Sequence, residues 1–215
     1  MSRVLVVGLL LGLVSTMAGA DERRDLSGRH SVDPGDTVRI DFKIGELRVE
    51  TAQTDEIDVD LTVRCKGWGS SRCHEEMEEL TLEFDSFGKE ITVRIAGARK
   101  LKSRRLEMDG TITVPESSPL DIDMGIGDLD IHGAAEDVNV DMGIGEVTVW
   151  MPSDEVGSVS VDAGIGDASI RGGSTRVKGG RSMLIGAEVK WSDGPGDADV
   201  VVDLGIGDAS VRLED

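Results

Sequence analysis

The stretch DMGIGD at residues 123–128 decides how this chain folds. It holds two glycines, two acids and two apolar residues. It returns as DMGIGE at 141–146, DAGIGD at 162–167 and DLGIGD at 203–208. Parity shows what the stretch does. In LDIDMGI, Leu120, Ile122, Met124 and Ile126 alternate with Asp121, Asp123 and Gly125, the pattern of a half-buried strand. Beyond Gly127-Asp128 the apolar residues are Leu129 and Ile131, so the alternation changes phase. A chain that keeps its apolar side inward must turn or bulge there. Gly127 accepts positive φ and Asp128 can bond its own backbone, which suits a corner.

Val138, Val140, Met142 and Ile144 repeat the pattern before Val147 and Val149. Val159, Val161, Ala163 and Ile165 repeat it before Ala168 and Ile170. Val202, Leu204 and Ile206 do so before Ala209, Val211 and Leu213. A divergent copy comes earlier: Val38, Ile40, Phe42, Ile44, a corner at Gly45-Glu46, then Leu47 and Val49. The acids at 123, 141, 162 and 203 imply a period of about twenty residues, with one double gap. Such a period predicts an all-β, single-domain β-solenoid, a β-helix-like stack of coils each resting on the last. The double gap contains the Gly-rich, basic segment 171–198, read as a degenerate coil or a hairpin excursion.

Between the divergent copy and the array (38–115, against 116–213) the pattern changes. Ile57, Val59, Leu61, Val63 and Cys65 alternate as a strand. CHEEMEEL suits one or two helical turns. Leu82 and Phe84, then Ile91, Val93 and Ile95, form a hairpin around DSFGKE, and TITVP at 111–115 is a further strand.

Residues 1–20 have the form of a secretory signal: Arg3, an apolar run from Val4 to Val14, and Ala18-Gly19-Ala20 before the cleavage point. The run is short for a bilayer span, and no second apolar stretch resembles one. The expected product is residues 21–215, periplasmic in a Gram-negative cell or secreted. Loss of Arg3 takes the formal charge from −19 to −20. That balance argues against nucleic acid and against anionic lipid, and it favours cationic partners or divalent metal. With no Tyr, three Phe and three Trp, the core must be aliphatic. Cys65 and Cys73 are the only cysteines. In an exported chain a disulfide between them is the expected state, against two free thiols.

The strand–Gly–acid–strand units GIGDLDI, GIGEVTV, GIGDASI and GIGDASV, with IGELRV before them and the TITVP lead-in, resemble the bacterial "putative adhesin" family. That is a domain-of-unknown-function class of β-solenoids. The resemblance covers roughly the whole mature chain, and its specificity lies in repetition and order. This chain has G-I-G-D where the family usually has S-G-D-[VI]. The resemblance implies a one-domain solenoid of the cell envelope and no enzyme activity.

Four features are candidate sites. Asp123, Asp141, Asp162 and Asp203 share one repeat position, and Asp128, Glu146, Asp167 and Asp208 share another. Stacking would set like charges about 5 Å apart, at a cost of about 1 kcal/mol in water and about three to four times that near a protein surface. Calcium would relieve the repulsion; acids facing water or bonding their own turns would also be tolerable. The glycines beside the first row would form a flat strip, suited to close backbone approach or to tight turns. Trp68, between two glycines in the Cys65–Cys73 loop, is either a binding anchor or a cover for one solenoid end. The basic run at 99–105 could meet phosphate groups or offset the acids.

Catalysis has little support. His30, His74 and His132 are the only histidines, and His74-Glu75-Glu76 is not HExxH. No nucleophile elbow or phosphate loop is present. The reading is a non-enzymatic interaction or scaffold module, with no required cofactor. It would bind a protein or glycan of the envelope through a strand-built surface and could form a homodimer through a solenoid end. A carbohydrate-active enzyme with an acidic cleft and a calcium-dependent surface adhesin are the alternatives.

Overall fold

The computed structural model describes residues 23–66, 71–97, 106–172, 175–178, 180–182 and 186–214. The signal segment 1–20, Trp68 and the basic run 99–105 lie outside them. The elements are β1 (Arg23–Ser31), β2 (Thr37–Ala52), β3 (Glu56–Cys65), α1 (Ser71–Glu78), β4 (Thr81–Phe87), β5 (Glu90–Ala96), β6 (Leu106–Pro115), β7 (Leu120–His132), β8 (Val138–Pro152), β9 (Val156–Ile165), β10 (Ala168–Gly172), β11 (Thr175–Lys178), β12 (Gly180–Ser182), β13 (Gly186–Trp191) and β14 (Ala198–Glu214). The chain is mostly strand, and the strands form one open, fourteen-stranded sheet.

Its centre is a parallel ladder. β2 pairs with β7, β7 with β8, and β8 with β14, each in register on both sides of the corner. β14 then pairs with β9 through its first arm and with β10 through its second. The corners align as Gly45, Gly127, Gly145 and Gly207. The divergent copy in β2 is therefore the first rung of the stack. β2 also divides its other side, its first arm pairing β5 and its second β6.

Two expectations are corrected. Stacking does not follow chain order, because the 203 copy sits between the 141 and 162 copies. The last described strand is consequently interior. It is paired on both sides over most of its length, so it offers no solenoid-end edge for a homodimer. The outer strands of the sheet path are β1 and β12 instead. Within segment 171–198, β11 pairs antiparallel with β10, and β12 with β13, which pairs antiparallel with β9.

The glycines explain the repeat. At Gly45, Gly127, Gly145, Gly166 and Gly207 φ lies between +132° and +146°, where L side chains rarely sit. A Cβ there would also stand only 1.6–1.7 Å from a carbonyl oxygen of the neighbouring strand. The first glycine of each GIG has ordinary φ and less severe crowding: a Cβ on Gly143 would be 2.6 Å from the Gly125 oxygen. The motif is thus a stacking corner, and the glycine strip is filled by the adjoining backbone.

One face of both arms is buried. Leu120, Ile122 and Met124 before the corner, and Leu129 and Ile131 after it, are all at most 2 % exposed. Inward rows taper along the stack. The first-arm row runs Phe42, Met124, Met142, Leu204, Ala163, and the second-arm row runs Leu47, Leu129, Val147, Ala209, Ala168. The core is thick at β2 and thin at β9 and β10.

The N-terminal strands extend the same sheet. β1, missed in the sequence because Leu26 is its one buried residue, pairs antiparallel with β3. Arg24 Nη1 donates to the carbonyls of Met77 (2.6 Å) and Glu78 (2.8 Å), satisfying the end of α1. Cys65 and Cys73 form the expected disulfide, with Cα atoms 6.0 Å apart, and pin α1 to β3. Closing so short a loop is worth about 2.5 kcal/mol of chain entropy. Reduction is expected to lower the unfolding free energy by that amount, read as a fall in the urea midpoint at unchanged slope.

Candidate interaction surface

The outer face carries the repeat's polar positions. On the first arm Asp41, Asp123, Asp141, Asp203 and Asp162 lie in consecutive register, and Glu188 of β13 extends the row. On the second arm the row runs Asp109, Glu46, Asp128, Glu146 and Asp208. Asp167 joins its end, its backbone N–H donating to Asp208 Oδ1 at 3.0 Å. All eight candidate calcium-binding acids are therefore gathered into the two expected rows. A row is linear, however, and no group of three or more His, Cys, Asp or Glu side chains converges in a metal-holding arrangement among the described residues.

The first row is neutralised at one end. Lys43 Nζ stands 2.6 Å from Asp41 Oδ1 and 3.2 Å from Asp123 Oδ1. Partial burial lowers the Lys43 pKa, but the hydrogen bonds and charges of both aspartates outweigh it and hold the ammonium above its ordinary value of 10.5. A raised pKa means that this contribution is complete at neutral pH and is lost as pH climbs through the alkaline range. Lys43→Met is expected to lower stability by about 1 kcal/mol at pH 7. The gap to the wild type should narrow above about pH 10.5, measured as urea midpoints at both pH values.

Between the two acid rows runs a feature the alternation did not foresee. Ile126, Ile144, Ile206 and Ile165 were expected to continue the inward row, yet they are 43–49 % exposed. The corner begins one residue earlier than the phase change implied, so the isoleucine of GIG faces solvent. These residues too are in register, with the partly buried Ile44 at their β2 end.

A third row crosses the second arm: Glu50, His132, Trp150, Arg212 and Arg171. The His132 ring stacks on Trp150 at 4.1 Å, and the Arg212 guanidinium lies 5.1 Å from the Trp150 ring. Trp150 is thus on the outer face with both ring faces occupied, while Trp191 packs against the core. Each member of this row follows the second inward residue of its second arm by one, the signal that aligning the repeats would have supplied.

The remaining candidates are dispersed. His30 stacks on Phe84 at 5.3 Å and its Nε2 lies 2.9 Å from Ser86 Oγ, far in sequence from the corners. A hollow of about 700 Å³ at the loop end of the stack gathers Asp55, Glu116, Glu136 and Glu155. Its carboxylates come from loops and not from the repeated positions, whereas a second hollow of about 410 Å³ is lined by Glu46, Asp109 and Asp128 of the second acid row, with Asp130. No described helix is long and apolar enough to cross a membrane.

No curated protein matches the chain. Among solved structures, one described as a "putative cell adhesion protein" from Clostridium sporogenes is 13 % identical. It aligns over 88 % of this chain and 100 % of its own, with a TM-score of 0.47. A "putative adhesin" from Parabacteroides merdae is 10 % identical over 60 % of this chain and 58 % of its own, with a TM-score of 0.28. A "putative adhesin" from Bacteroides fragilis is 10 % identical over 87 % and 97 %, with a TM-score of 0.26. The model of the N-terminal domain of toast_rack, DUF2154, matches residues 33–171, which span the β2 rung, the disulfide region and the first three GIG[DE] corners, and the chain belongs to that family.

Proposed function

We propose that this protein is a non-catalytic interaction module of the cell envelope that binds through the outer face of its stacked corners, in the manner of a β-solenoid. The observation that carries this reading is the in-register repetition itself. It turns single exposed side chains into continuous rows, and such a surface suits an extended partner that meets the same chemistry at every rung. The disulfide supports an oxidising compartment, and hence a periplasmic or secreted protein.

The test uses the mature, oxidised chain immobilised over detergent-solubilised envelope of its own source, with and without calcium. A companion variant carries Asp141→Asn, Asp203→Asn and Glu146→Gln. The expected result is one discrete protein or glycan retained by the wild type and lost by the variant. Equal retention by both would sink the outer-face reading. Retention only with calcium, together with a calcium-dependent rise in Tm, would shift it to the calcium-dependent adhesin. A hydrolytic activity abolished by one acid substitution, and not by its repeat equivalents, would make the protein an enzyme.

A further inference from the structure

We infer that the isoleucine ridge is the contact line for a Lys/Arg-rich polypeptide segment bearing an aliphatic stripe. The inference rests on the outer-face reading and names its partner class.

Six large apolar side chains are exposed among the described residues, and four of them, Ile126, Ile144, Ile206 and Ile165, occupy one repeat position. Consecutive parallel strands bring them side by side at about 4.8 Å per rung, a continuous line about 14 Å long. Mutual stacking covers only part of each. With 43–49 % of every side chain still in water, stacking leaves a contiguous apolar strip unsatisfied, and strips of this kind mark interaction sites. The positions demand no apolar residue for folding, since they face away from the core.

Charge selects the occupant. The ridge is bordered on one side by Asp123, Asp141, Asp203 and Asp162, and on the other by Asp128, Glu146, Asp208 and Asp167. Of these eight acids only Asp123 has a salt bridge among the described residues, to Lys43 at the β2 end. A second copy of this chain, at net charge −19, would bring like charge against like. An anionic lipid surface would do the same. A cationic segment satisfies both features: its aliphatic residues cover the isoleucines, and its Lys or Arg side chains reach the carboxylates on either flank. An amphipathic helix has the required form, because its turns rise about 5.4 Å and nearly match the rungs over this length.

The probe is a fluorescein-labelled, lysine-rich synthetic peptide with leucines at helical spacing, titrated with the mature protein by anisotropy. A lysine/serine peptide of equal charge and a glutamate/leucine peptide of equal apolarity are the comparisons. Ile144→Thr/Ile206→Thr is the test variant, chosen because threonine keeps β-branching at exposed sites; retention of the wild-type Tm checks its fold. The expected result is binding of the lysine/leucine probe at least about tenfold tighter than either comparison peptide, about tenfold weakening by the double variant, and further weakening at high salt. Equal binding of the lysine/serine peptide, or unchanged binding by the folded double variant, would overturn the inference, leaving the acid rows as a non-specific cation trap. No binding of the lysine/leucine probe, with envelope capture still lost in the acid-row variant, would overturn it while the outer-face reading stands. A wild-type dimer in sedimentation that the Ile144→Thr/Ile206→Thr change dissociates would assign the ridge to self-association. The wild-type salt series needs no variant, so the inference stays testable if the double variant misfolds.

Discussion

Gly145→Ala is expected to remove at least about 4 kcal/mol of stability, enough to unfold a domain of ordinary marginal stability. Two costs coincide there. The backbone has φ of +146°, and a Cβ would stand 1.6 Å from the Gly127 oxygen and 2.5 Å from the Met142 methyl. A left-handed backbone alone costs an alanine about 1–2 kcal/mol. The clash adds the larger share, because the obstacle is a carbonyl inside a parallel ladder and cannot swing aside. Two control variants separate the effects. Gly35→Ala, at φ of +82° with nothing within 4 Å, should lose only about 1–2 kcal/mol. Gly143→Ala, with ordinary φ but a carbonyl at 2.6 Å, should lose about 1–3 kcal/mol. Urea denaturation of the three proteins orders them. If Gly145→Ala fell no further than Gly35→Ala, the corners would not be stacked as described.

Phe42→Ala is expected to cost about 3–5 kcal/mol. Phe42 is the one fully buried phenylalanine, 1 % exposed, at the thick end of the inward row that shrinks to Ala163. Removing the ring deletes its transfer free energy and leaves a void that Met124, its register neighbour, can fill only in part. The opposite change at the thin end, Ala163→Phe, should also destabilise, by about 1–3 kcal/mol, because that end has no room for a ring. A Phe42→Ala loss below about 1.5 kcal/mol would show that the core at β2 is not close-packed.

Much of this architecture was legible in the order of residues. The alternation and its phase change at Gly127-Asp128 placed the arms and the corner, and the same signature found the divergent rung at Gly45-Glu46. The acid rows followed from repeat position alone. What was hidden has physical causes. Period-two patterning says which residues share a face and nothing about which strand lies alongside, so the insertion of β14 between β8 and β9 was invisible. The corner isoleucines alternate like core residues, because the alternation does not encode the positive φ of Gly127 that marks the corner beside them. β1 offered too few apolar residues to announce a strand, and its place is set by pairing with β3.

The position of β14 bears on how the molecule assembles. Its corner, GIGDAS at 205–210, is identical in sequence to GIGDAS at 164–169 in the β9–β10 copy. During synthesis the earlier copy emerges first, when β8, which pairs with β14 in the folded sheet, is already present. A direct β8–β9 pairing would match glycine with glycine and acid with acid, and only the arrival of the final 17-residue strand can displace it. The similarity that makes the stack regular would therefore favour a competing arrangement, with an open slot that the β14 of another molecule could enter.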